Sequence, residues 1–176
     1  EVLDEVRTLL RLRERLVPYL ATLAHAAATE SEAIVRPLAY DFPAWRPGHR
    51  EDLVHLLGPA LLIAPVVEPG ATTRPLRLPP GRWLELATGR VHEGDGEVVG
   101  QAPLGVPAWF LREGHAVPVV RGEQTEDGAA APPDLVRGGT PWGERGGVHW
   151  LGLPDRDGRL RGRLHWDDGV TRAHER

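Results

Sequence analysis

Several short stretches of this chain carry residue types that acid–base or metal chemistry uses. Asp167-Asp168-Gly169 offers two carboxylates, but a carboxylate pair works on a scissile bond only when it flanks it at about 5 to 9.5 Å. Neighbouring residues of a strand point to opposite faces, so the plainer reading of this triplet is a turn closed by Asp and Gly. Asp155-Arg156-Asp157-Gly158 resembles a piece of a calcium loop, yet lacks the third acidic position and the distal Glu. As a hairpin signal it needs neither. His49, Asp52 and His55 share one stretch, but the histidines are not at the i, i+4 spacing that puts two ligands on one helix face, so solvated polar side chains are expected there. Gly138 to Gly143 is glycine-rich without a strand leading in or a helix leading out, which fails the context of a phosphate cradle and leaves a loop. Nothing resembles a nucleophile elbow. No metal and no cofactor is expected.

The six tryptophans, at 45, 83, 109, 142, 150 and 166, present flat faces that suit sugar rings and equally suit packing between sheets. Trp83 and Trp109 sit in strand patterns and read as core. Trp45 lies in a loop, and both readings stay open for it.

The elements that must position these residues follow from periodicity. Over residues 1–29, Leu3, Val6, Leu10, Val17 and Leu20 form one helical stripe, with Leu9, Leu12, Leu16, Tyr19 and Leu23 beside it. So wide an apolar face expects neighbours on two sides. Pro18 lacks an N–H and clashes with the preceding turn, which predicts a kink or restart near Val17. Ala33 to Leu38 reads as a short buried strand, Phe42 to Arg50 as a Pro- and Gly-rich loop and Glu51 to Leu57 as a short helix. From Ala60 onward, strands are expected at Ala60–Val67, Thr73–Leu78, Arg82–Glu85, Glu97–Gln101, Ala108–Leu111 and Val117–Val119. Turn residues separate them at sandwich spacing. Residues 121–147 read as linker, and Val148–Leu153 with Arg159–Trp166 as a hairpin around Asp155 to Gly158.

At 176 residues the chain can bury about 70% of its unfolded surface. The 21 basic residues are all arginine, interleaved with 25 acidic ones for a net charge of −4, which argues against a nucleic-acid partner. The longest apolar runs fall far short of the roughly 20 residues of a membrane span, so no membrane partner is expected. With no Cys there is neither a disulfide nor a thiolate metal site. With no Met, the chain from Glu1 is expected to be part of a longer product.

The order of segments carries a resemblance. Arg11 to Leu23 is similar to the "LRYRLLPYLYTL" helix of glycoside hydrolase family 31, the α-glucosidase and α-xylosidase family. Val35 to Leu38 with Asp41-Phe42-Pro43 resembles that family's "VMRPLFLEFP", and Leu57 to Val66 its "LGPDLLVAPV". Leu78 to Trp83, Ala87 to Gly89, Pro107 to Gly114 and Leu164 to Gly169 follow in family order. Pro103 to Val106 and Thr171 to His174 depart from the family pattern, and residues 121–148 are not covered.

The resemblance implies a mixed α and β, mainly β, fold. Residues 1–57 would be the terminal helix–strand elements of a (β/α)₈ barrel, 58–120 a proximal antiparallel β-sandwich and 148–176 the start of a distal β domain. It also implies a parent that cleaves α-glycosidic bonds with retention, through a nucleophilic and an acid/base Asp whose motifs are not in this chain. No catalytic residue is expected here. Sites of such barrels sit at the C-terminal ends of the strands, which makes Arg36, Asp41 and Trp45 the candidates for an outer substrate-binding shell. The partners implied are an α-linked oligosaccharide or glucoside, met through the parent, and the N-terminal part of the barrel. The alternative is a non-catalytic carbohydrate-binding β-sandwich that uses exposed tryptophans, Trp45 or Trp142.

Overall fold

The computed structural model describes residues 2–120, 139–140 and 148–165. The N-terminal helical stretch is two helices, α1 (Val2–Arg15) and α2 (Val17–Glu30). The restart falls where Pro18 predicts it: Leu16 joins the two, and Pro18 occupies the first turn of α2, where its missing N–H has no partner to lose. Only the second half of the wide apolar face, from Leu16 into α2, is covered. Leu16, Tyr19 and Leu23 are buried, whereas Leu3, Val6, Leu9, Leu10 and Val17 are exposed.

Strand β1 (Val35–Pro37) is shorter than expected, because the chain turns at Leu38 into a single helical turn, α3 (Leu38–Asp41). The helix expected over Glu51–Leu57 is absent. A 3₁₀ turn instead covers Arg46–Arg50, and His55–Leu57 is strand β2. Val54 and Leu56 are the buried positions there, two residues apart, and that is the strand period. The following strands are β3 (Leu61–Ala64), β4 (Thr73–Arg77), β5 (Arg82–Glu85), β6 (Val91–Glu93), β7 (Glu97–Gln101), β8 (Ala108–Arg112) and β9 (His115–Val120). Strand β6 carries no signal beyond a single Val and had no counterpart in the sequence reading. Two further strands are β10 (Gly139–Thr140) and β11 (Val148–Leu153). β11 pairs antiparallel with β9 and β10, not with 159–165, where the only pairing is an isolated bridge between Arg161 and His115. Asp155 Oδ1 accepts the N–H groups of Asp157 and Arg159, so this aspartate closes its own turn.

The fold is thus mostly antiparallel β with few helices. A six-stranded sheet runs β1-β2-β3-β8-β5-β6, and alternation along its strands splits the core in two. Leu62, Ala64, Trp83, Ala108 and Phe110 face the β4–β7 ribbon, which contributes Leu76 and Val98, with Leu38 and Trp45 packed beside them. Leu61, Leu84 and Leu111 face the other way, against Tyr19 and Leu23 of α2 and Val117 and Leu153 of the three-stranded sheet. A sheet packed on both faces needs apolar residues at consecutive positions, which is how Leu61 to Ala64 reads.

The β2–β3 turn shows how α2 is fastened. Gly58 holds φ at 58°, a left-handed conformation that favours glycine, and the Tyr19 hydroxyl donates to the adjacent Leu57 carbonyl at 2.8 Å. Burial pushes the Tyr19 hydroxyl above its ordinary pKa, so it stays a neutral donor. Among the described residues, no helix is long and apolar enough to cross a membrane.

Candidate functional site

The segment from β1 through α3 into the 3₁₀ turn carries all three candidates. Arg36 stands at the middle of β1, pointing inward while Val35 and Pro37 are exposed. Its side chain is only 8% exposed and is fully engaged. Nε donates to the Ala33 carbonyl at 2.8 Å, one terminal nitrogen to Glu32 Oε2 at 2.6 Å and the other to Asp41 Oδ1 at 3.4 Å. Its guanidinium also lies 5.3 Å from the centre of the exposed Tyr40 ring.

Asp41 ends α3 and faces a second cation. Arg112, at the end of β8, places a terminal nitrogen 3.8 Å from the same Oδ1 and its guanidinium 4.3 Å over the Phe42 ring. The second oxygen, Oδ2, is buried without a hydrogen-bond partner among the described residues. Burial lowers the Arg112 pKa from its ordinary value, against the opposing pull of Asp41 and Glu113. It also lowers that of His115, in β9, where a hydrogen bond to the Glu113 carbonyl opposes it.

Chemically this is an anchor. One carboxylate oxygen faces two guanidiniums from different strands, which ties α3 to β1 and β8 of the six-stranded sheet. Losing one partner of such a buried set leaves an uncompensated charge and costs about 3–5 kcal/mol.

Trp45 is brought near neither residue by any hydrogen bond or ring contact. Its ring is 7% exposed, packs in the core against Leu38 and Gly48, and its Nε1 donates to Asp95 Oδ1 at 2.9 Å. An indole so covered has no face left for a sugar ring, which corrects the expectation of an exposed platform at Trp45. The loop places it inward because the 3₁₀ turn brings Gly48 over the ring, where no side chain intervenes.

Arg112, Phe42 and Glu32 belong to this cluster and were not among the sequence-derived candidates. The one local signal is a charge ending the apolar run Ala108 to Leu111; its pairing with Asp41 is long-range and carries no mark in the sequence. His49, Asp52 and His55 fall on the 3₁₀ turn, a bend and a strand, and among the described residues no group of three His, Asp or Glu is placed to hold a metal ion. Trp83 is fully buried and Trp109 packs against the second core cluster, as expected of core tryptophans. Trp142, Trp166, Gly138, Pro141 to Gly143 and the Asp167-Asp168-Gly169 triplet lie outside the described residues.

Comparison with known proteins places this architecture. Residues 31–117, from just before β1 into β9, match the model of the "Glycosyl hydrolase family 31 C-terminal domain". A probable α-glucosidase of Oryza sativa is 44% identical over 85 residues, 48% of this chain and 10% of that protein. Among solved structures, the family 31 α-xylosidase of Xanthomonas citri superposes with a TM-score of 0.61 at 36% identity, over 68% of this chain and 13% of that one. A family 31 dextranase of Flavobacterium johnsoniae, crystallised with isomaltotriose, gives 0.64 at 25% identity, over 78% of this chain and 18% of that one. The chain spans 6% to 18% of the length of the curated relatives it matches. Model, relatives and structures agree on one assignment: the chain belongs to glycoside hydrolase family 31 and carries that family's C-terminal domain.

Proposed function

We propose that this chain is the C-terminal portion of a retaining α-glycosidase and that its role is to brace the catalytic barrel. In this reading residues 1–57 supply the closing helix–strand elements of that barrel, 58–120 the proximal β-sandwich, 121–147 a connecting segment and 148–176 the start of a distal β domain. The observation that carries it is the half-covered helical face: Leu16, Tyr19 and Leu23 pack on the sheet while Leu3, Val6, Leu9 and Leu10 lie exposed along α1. Exposed apolar surface of that extent marks a contact with further protein, and in this reading the catalytic barrel makes it.

The parent would cleave an α-linked oligosaccharide or glucoside. An Asp nucleophile would form a glycosyl-enzyme, and a second carboxyl would act first as acid and then as base. Arg36 and Asp41 would serve as outer-shell positioning groups at the barrel mouth, holding the Tyr40–Phe42 segment through Arg112. The test is to assay the 176-residue chain, and a form extended by the coding sequence upstream of Glu1, on an aryl α-glucoside and an aryl α-xyloside. Turnover with retention is expected of the extended form alone. Turnover by the short chain at a comparable rate, or none by the extended form on either substrate, overturns the reading.

A further inference from the structure

A cleft of about 790 Å³ opens between the 3₁₀ turn Arg46–Arg50 and the end of the β4–β7 ribbon, within the range of small-molecule sites. Three arginines line it: Arg46 and Arg50 from the turn and Arg77 from β4, all exposed. None makes an ion pair or side-chain hydrogen bond among the described residues, so three guanidinium forks are uncommitted. Arg36, Arg82 and Arg112, which are partly or fully buried, are by contrast each paired with a carboxylate.

Two carboxylates share the cleft without neutralising it. Glu97 of β7 stands opposite Arg77 in the ribbon's register, and Glu51 follows Arg50 directly, yet neither closes an ion pair within 4.0 Å. His49 is fixed by its Nε2, which donates to the Pro43 carbonyl at 2.9 Å, and Pro75 and Leu76 give an apolar floor. Guanidinium forks match the two oxygens of a phosphate or carboxylate. Free carboxylates accept hydrogen bonds from hydroxyl groups. The ligand that uses both, over a partly apolar floor, is a sugar bearing an oxyanion.

The geometry points to this cleft as a binding site for a phosphorylated or carboxylated sugar, a proposal that does not rest on the glycosidase reading. Arg50 and Arg77 hold the oxyanion from the two walls, while Glu51 and Glu97 take the hydroxyls.

Isothermal titration of the 176-residue chain with glucose 6-phosphate, glucuronate, glucose and inorganic phosphate tests it. Saturable binding of at least one sugar anion is expected, tighter than glucose or phosphate alone, and about tenfold weaker in the Arg50→Gln/Arg77→Gln double variant. Arg11→Gln, which removes one such charge from exposed α1, leaves binding unaltered. Both substituted arginines are exposed, so unchanged melting temperatures check that the variants fold. The proposal is overturned if no sugar anion binds, if phosphate alone binds as tightly, or if Arg11→Gln weakens binding as much as the double variant does.

Discussion

The Glu85 carboxylate accepts the backbone N–H of Gln101 at 2.6 Å, a bond that joins β5 of the six-stranded sheet to β7 of the ribbon packed on it. The same side chain, on a residue 2% exposed, also accepts from the Thr88 hydroxyl at 2.6 Å and contacts His92 Nε2 at 3.1 Å. Burial pushes the Glu85 carboxyl up. The Gln101 N–H, the Thr88 hydroxyl and His92 outweigh it, so the net pKa lies below the ordinary value.

A carboxyl whose folded pKa is depressed contributes stability that is present above its unfolded pKa, about 4.3, and is lost as pH falls through the folded value. Glu85→Gln is therefore expected to remove part of the acid dependence of stability below about pH 4.3 and to cost about 2 kcal/mol at pH 7 through the weakened buried bonds. Urea midpoints measured from pH 3 to 7 check both. An unchanged acid limb in the variant would contradict the assignment.

Asp41→Asn removes the charge that Arg36 and Arg112 share and is expected to cost about 3 kcal/mol. Arg36→Met alone is costly for the mirror reason. In the double variant the two costs should fall well short of additivity, because the groups belong to one network. Thermal unfolding of the unaltered chain and the three variants measures the coupling, and simple additivity would show that the cluster is not a unit.

At Gly48 a Cβ would stand 2.7 Å from Trp45 Cε3 and 3.2 Å from Leu38 Cβ. Gly48→Ala is expected to cost about 1–3 kcal/mol through overpacking. Tryptophan emission should shift as the indole is displaced. Combining it with Trp45→Leu should recover part of the loss, and denaturant titration of the pair decides.

The segment that follows the Asp155 turn is fastened to α2 by a small polar set. His165 stacks on His25 with ring centres 3.6 Å apart, the His165 N–H donates to the Thr22 hydroxyl at 2.9 Å, and Arg163 pairs with Glu30 at 2.8 Å. Thr22→Val keeps the side-chain volume and deletes the acceptor. Faster amide exchange at His165 is expected, with about 1 kcal/mol of lost stability; exchange that does not change would mean the stack alone holds the segment.

Much of the fold is legible in the sequence because its signals are local. Pro18 marks the helix restart, and β4, β5, β7 and β8 appear within a residue of where their branched and aromatic residues place them. The helix expected at Glu51–Leu57 fails for an equally local reason, since Val54 and Leu56 serve strand alternation. What was not legible depends on distant partners. β6 exists through its pairing with β5, Trp45 is buried because Asp95 and Gly48 meet it, and Asp41 acquires its role from Arg112. The family motifs located Arg36 and Asp41 on one segment, but the cation that completes their cluster sits in another strand, with no spacing rule to announce it.

The strand order also has a kinetic side. β2–β3 and β5–β6 are close-range pairs and can zip early, but the sheet is continuous only once β3 meets β8, Leu61 opposite Leu111, with β5 then seated on the other side of β8. Loop closure must precede that contact, and the chain between contains four whole strands. The folding barrier therefore belongs to the arrival of β8, whose Phe110 and Leu111 enter the two cores at once. Until β8 arrives, the wall between the two cores is in two pieces, β1–β2–β3 and β5–β6.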